Sequence, residues 1–131
     1  MPELTVSIVS NNNRDLLDRC LESIFSGTRQ ADFEVIVVDN GSRDGSREMV
    51  REKHPSVQLV NSGGGHGYSE NHNIALRRMN GNFAVIMNDD TEVHPGAFDS
   101  MLSFMKENPD VGCLGPRLLN PDGSLQQSVY R

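Results

Sequence analysis

The sequence has no apolar run near the about 20 residues that a membrane-spanning helix needs. Nor does it open on a basic stretch followed by an apolar core. Met1-Pro2-Glu3-Leu4-Thr5 leads into Val6-Ser7-Ile8-Val9, too short for a secretory leader, so a cytoplasmic start is expected. Cysteine is scarce: Cys20 and Cys113 are far apart, outside any metal-type spacing, and set among apolar residues. Two buried thiols are expected rather than a disulfide. His54, His66, His72 and His94 show no zinc spacing. There is no Walker A sequence. Gly65-His66-Gly67-Tyr68-Ser69-Glu70 lacks the last glycine of the dinucleotide fingerprint, and Gly67-Tyr68-Ser69-Glu70-Asn71 fails the nucleophile-elbow pattern at its final position. Excess positive charge is also missing. A net charge of −6 argues against nonspecific nucleic-acid binding.

What is present fits one ordinary domain of 131 residues with a core of its own. Short β-branched runs alternate with amphipathic segments. Strands are expected at Leu4–Ser10, Phe33–Asp39, Val57–Val60, Phe83–Met87 and Val111–Leu114. Helices are expected at Asp15–Phe25, Ser46–Lys53, Ser69–Met79 and Pro95–Lys106. The first helix carries Leu16, Leu17, Cys20, Leu21, Ile24 and Phe25 on one face. From Gly115 onward the chain reads as loop. Strict alternation predicts an α/β fold, a mostly parallel sheet with helices on both faces. Right-handed crossovers then put every strand C-terminus along one edge.

Polar clusters follow three of those strands: Ser10-Asn11-Asn12-Asn13, Asp39-Asn40-Gly41-Ser42 and Asn88-Asp89-Asp90-Thr91. Each alone has a plain structural reading, as a turn or a helix cap. Together at one sheet edge they describe a ligand crevice. Amides and a carboxylate suit a base and ribose, and an acidic pair suits a hard cation that neutralises a diphosphate. The glycine loop Asn61–Gly67 reads equally as a flexible connection or a ligand cover. Arg77-Arg78 reads as a solvated helix face.

The ordered motifs resemble family 2 glycosyltransferases of the GT-A fold, specifically their nucleotide-binding half, from Val6 to about Arg131. The opening strand with Leu16-Leu17 and Cys20-Leu21-Glu22-Ser23-Ile24 is similar to the family's first unit. Glu34-Val35-Ile36-Val37-Val38-Asp39-Asn40-Gly41-Ser42-Arg43-Asp44-Gly45-Ser46 is close to its second signature. Asn61 with Gly67-Tyr68 and His72-Asn73 resembles the third. Asn88-Asp89-Asp90-Thr91 with Pro95-Gly96-Ala97 stands where the family keeps its metal motif, although many relatives have proline in place of Asp89. Gly115-Pro116-Arg117-Leu118-Leu119-Asn120-Pro121-Asp122-Gly123-Ser124 resembles the rhamnosyltransferase-like branch.

The resemblance implies inverting sugar transfer from a dTDP- or UDP-linked donor to a glycan or lipid-linked acceptor hydroxyl, as in cell-surface polysaccharide synthesis. It implies donor contacts from Ser10, Asn11, Asp39, Asn40, Gly67, Asn73 and Asp89, and ligation of Mg²⁺ or Mn²⁺ by Asp90. It further implies a protein at the inner membrane face. Inverting transfer needs a base for the acceptor hydroxyl. None of Asp99, Glu107, Asp110 or Asp122 matches the family's base motif. The chain is therefore expected to be an N-terminal, donor-binding part with weak or no transfer by itself. Apolar surface meant for the rest would favour self-association. Two other readings compete: a metal-dependent phospho-acceptor signalling domain, disfavoured by asparagines where that class places acids, and a nucleotidyltransferase, which lacks its basic triphosphate loop.

Overall fold

The computed structural model describes residues 1–128; the last three positions of the resemblance, 129–131, lie outside them. The elements run β1 (Leu4–Ser10), α1 (Arg14–Gly27), β2 (Phe33–Asp39), α2 (Ser46–Lys53), β3 (Gln58–Asn61), α3 (Tyr68–Leu76), β4 (Phe83–Asn88) and α4 (Ala97–Glu107). All three strand pairings are parallel, in the order β3-β2-β1-β4. The chain builds outward from β1 to β3 and then returns to the far side of β1. That reversal makes the β1/β4 crevice a topological switch point, the place where open α/β sheets bind ligands.

The period-2 pattern of β1 divides the core. Leu4, Val6 and Ile8 face α1, α2 and α4, where Leu17, Cys20, Leu21, Ile24, Met49, Val50 and Phe98 join them. A smaller layer, Ile36, Val38 and Ala75 with Val9, Val60 and Ile74, seats α3 on the other face. Helices thus cover both faces, as the alternation requires. The close seat of the α3–β4 connection depends on Gly81. A Cβ there would stand 2.7 Å from the Thr5 amide nitrogen.

Several expectations do not hold. Val111–Leu114 forms no strand. An apolar run of that length becomes a strand only with a partner for its backbone groups, and the outer edge of β4 pairs with nothing among the described residues. The tail instead makes one antiparallel bridge, Leu119 to Leu125. Cys113 is exposed, for want of that strand, while Cys20 is buried as expected. Leu16 and Phe25 are 38% and 37% exposed. They flank the α1 stripe rather than filling it, and Phe25 packs at the margin on Phe33 and His54. Helix α3 stops at Leu76 instead of Met79, and α4 starts at Ala97 because Gly96, with φ of 80°, turns the chain first. Among the described residues no helix is long and apolar enough to cross a membrane.

Candidate functional site

The register brings the strand ends level. Ser10 pairs with Asp39, Asp39 with Asn61, and Val9 with Asn88. The three polar clusters therefore meet at one edge, as the topology dictates. Their loops are also tied directly to one another. Asn11 Nδ2 donates to the Asn40 carbonyl at 2.7 Å, and the Asn12 amide donates to Ser42 Oγ at 2.9 Å. Arg43 N–H returns a bond to Asn12 Oδ1 at 2.8 Å. Asn12 takes a left-handed turn, φ 51°, to do this, a conformation asparagine tolerates better than most residues.

Asp39 is 1% exposed. Its Oδ1 accepts Gly41 N–H at 3.2 Å, Ser42 N–H at 2.9 Å and Arg47 Nη1 at 3.1 Å. Oδ2 is buried and has no partner among the described residues. A bare buried carboxylate oxygen is unfavourable by more than a neutral unpaired group, so this atom has capacity left for a donor. Asn71 Oδ1 is a further buried oxygen at this edge without a hydrogen bond among the described residues. Asn40 holds the glycine loop. Its Nδ2 donates to the His66 carbonyl at 3.1 Å, and Ser62 Oγ donates to its Oδ1 at 3.3 Å. Gly41 nests against Gly64, where a Cβ would stand 3.0 Å from Gly64 Cα. The glycine loop is thus anchored beside Asp39. Gly67 caps α3 with its amide on Glu70 Oε2 at 3.0 Å.

The acidic corner divides its work. Asp89 is 6% exposed, and Asn13 Nδ2 reaches both of its oxygens at 3.2 Å. Burial pushes the Asp89 carboxyl up; the Ser10 hydroxyl and the Asn13 amide oppose this, and the charge of Asp90 adds to it. Asp90 is exposed. Beneath them, burial and then the charges of Asp89, Asp90 and Glu92 push the Cys20 thiol up to about 12. The corner is thus electronegative. No cluster of three His, Cys, Asp or Glu side chains that could hold a metal exists among the described residues. One or two carboxylates completed by substrate phosphates and water is the usual provision for Mg²⁺, and this donor set fits that type.

Asn73 stands apart. It is exposed on α3 and makes no side-chain hydrogen bond among the described residues. The inward positions beside it are Asn71 and His72, 1% and 3% exposed. Asn71 Nδ2 donates to the His66 and Gly67 carbonyls. His72 Nδ1 shares a 2.7 Å hydrogen bond with Ser7 Oγ, while its Nε2 is buried without a partner among the described residues. Asn13 stands in the sequence only as a member of the cluster after β1, with no role of its own, and Asn71 and Arg47 carry no site signal there. The adjacency of Asn13 to β1 was a usable sign; the burial of Asn71 and the reach of Arg47 back to Asp39 had none.

The sequence profile described as glycosyl transferase family 2 matches residues 5–130. The chain belongs to glycosyl transferase family 2. It is 32% identical over 124 residues to an N-acetylglucosaminyl-diphospho-decaprenol L-rhamnosyltransferase of Mycobacterium tuberculosis, covering 86% of this chain and 40% of that one. It is 28% identical over 130 residues to the O-antigen biosynthesis protein RfbC of Myxococcus xanthus, covering 97% of this chain and 10% of that protein. The family 2 chain thus spans well under half of these relatives. Among solved structures it is similar to the mannosyltransferase PcManGT from Pyrobaculum calidifontis, in complex with GDP-Man and Mn²⁺. The TM-score is 0.71 at 28% identity, over 79% of this chain and 32% of the other. Staphylococcus aureus TarS, in complex with UDP-GlcNAc, shares the fold with TM-score 0.72 at 21% identity, over 82% and 32% of the two chains. The parallel sheet is that of GT-A glycosyltransferases, and the phospho-acceptor reading falls away.

Proposed function

We propose that this family 2 segment holds the nucleotide-sugar donor of an inverting transferase. The observation that carries the reading is the single edge shared by a buried, half-satisfied carboxylate at Asp39 and an exposed one at Asp90. Asp39 Oδ2 receives an N–H of the base or a hydroxyl of the ribose. Ser10 and Asn11 line the same pocket. Asn40 and Gly67 fix the loop over it. Asp90 holds Mg²⁺ or Mn²⁺, with Asp89, oriented by Asn13, behind it. When bound, the cation supplies Lewis-acid stabilisation for the charge that develops on the departing diphosphate. These residues bind and orient; none of them is the base that accepts the acceptor's proton.

Rhamnose as the sugar and a lipid-linked acceptor are supported by the name of the rhamnosyltransferase relative, and a dTDP- or UDP-linked donor is the form in which we propose the sugar arrives. GDP-Man in PcManGT keeps the base an experimental variable. Action on a lipid-linked acceptor would place the full protein peripherally at the inner membrane face. Calorimetry with UDP and dTDP, with Mn²⁺ or with chelator, tests the reading. Binding is expected to tighten at least about tenfold with metal, a 1.4 kcal/mol difference, and Asp90→Asn is expected to remove that gain alone. Equal affinity with and without metal would refute the cation's role. No binding of any nucleoside diphosphate would refute the site.

A further inference from the structure

Asp39 has two carboxylate oxygens but presents only one. Three donors converge on Oδ1, and two of them, Gly41 N–H and Ser42 N–H, come from the turn that follows the strand. The third is a side chain from another element. Arg47 sits in the first turn of α2, and its guanidinium reaches back to Oδ1 at 3.1 Å, itself 26% exposed. Its backbone position is fixed in turn. Gly45 enters the helix with φ of 84°, and Asp44 ties the Ser46 amide through Oδ1 and the Arg14 amide through Oδ2. Resting on the donor-site reading, we propose that Arg47 is a positioning residue for nucleotide recognition: it pins Asp39 Oδ1 so that Oδ2 alone faces the nucleoside.

The physical argument runs through the geometry of a carboxylate. Oδ2 is buried and has no partner among the described residues. Rotating the carboxylate away from this plane would break the three bonds to Oδ1, and a full half-turn only restores the same arrangement, so one oxygen stays held and the other stays free. The backbone donors hold one side of Oδ1. The guanidinium holds the other and offsets the buried charge, through a charge-assisted bond stronger than a neutral one. A rigid first contact loses less entropy when the ligand binds. Arg47 does not need to touch the ligand for this.

The test separates action through Asp39 from a direct grip on phosphate. Mn²⁺-dependent binding of UDP and of inorganic pyrophosphate is measured by calorimetry on the native chain and on Arg47→Gln. Pyrophosphate shares the diphosphate but has no nucleoside. Arg47→Gln is expected to weaken UDP about tenfold, the scale of one charge-assisted bond, and to leave pyrophosphate unchanged. In an Asp39→Asn background the same substitution is expected to change UDP affinity less than about twofold, since coupled residues are not additive. Equal weakening of UDP and pyrophosphate overturns the proposal, because Arg47 then acts on the phosphates. Unchanged UDP affinity in Arg47→Gln also overturns it. Failure of the native chain to bind UDP, dTDP, CDP, GDP or ADP would instead refute the donor site itself.

Discussion

At the scale of single residues, the buried polar groups carry the information. Asp39, Asn71 and His72 are nearly or fully enclosed, and each keeps one polar atom without a partner among the described residues. Native structures rarely tolerate this without a use or a bound partner. His72 also gives a pH dependence with a definite sign. Burial lowers its pKa from the ordinary 6.5, so the folded chain holds it neutral while the unfolded chain protonates first. The unfolded state then binds more protons as pH falls below 6.5, and stability drops through that window towards the folded value. Urea midpoints at pH 7.5 and pH 5.5 should show the advantage of the native chain over His72→Gln shrinking at the lower pH. A constant difference would mean His72 does not titrate between those values. Its partner Ser7 lies 65 positions away in sequence, so local pattern could not reveal the pair.

At the scale of elements, β1 does most of the organising. It pairs with both β2 and β4, and its two faces belong to two cores. The alternation of Leu4, Val6 and Ile8 against Thr5, Ser7 and Val9 is legible in the sequence as period 2. The fit of the next connection is not. Gly81 approaches β1 so closely that a Cβ would lie 2.7 Å from Thr5 N and 2.8 Å from Leu4 C, both backbone atoms that cannot step aside. Gly81→Ala is expected to destabilise the fold by about 1–3 kcal/mol through overpacking. Thermal or urea denaturation checks it, and a change under about 0.5 kcal/mol, typical of surface positions, would contradict that close approach. The helix edges show the same division. The spacing of Leu17, Cys20, Leu21 and Ile24 marks the buried stripe, but the exposure of Leu16 and Phe25 at its margins depends on which surfaces the folded neighbours cover.

At the scale of the whole molecule, β4 is the unfinished side. Its burial alternates along the strand, with Phe83, Val85 and Met87 turned to the core and Ile86 52% exposed on the opposite face. Its outer edge has no strand beside it among the described residues. An open edge with an exposed apolar residue is a template for pairing. We propose that the isolated chain self-associates through this strand, a second copy covering the edge. Light scattering across a concentration series should show a rising mass for the native chain and a monomer for Ile86→Lys, since charge on an edge strand blocks such pairing. Association unchanged in that variant would exclude β4 as the contact.

The alternation of strands and helices, the parallel sheet and the meeting of Asp39, Asp89 and Asp90 at one sheet edge all follow from the sequence alone. Each rests on periodicity or on a strand end, and both are local properties. The tertiary structure decided what local pattern cannot hold. It left Val111–Leu114 without a partner strand, exposed Cys113, turned Asn73 outward and Asn71 inward. It also brought Asn13 to Asp89 across 76 positions and Arg47 to one oxygen of Asp39. A hydrogen bond requires two groups within about 3 Å, and only the folded chain determines which groups those are.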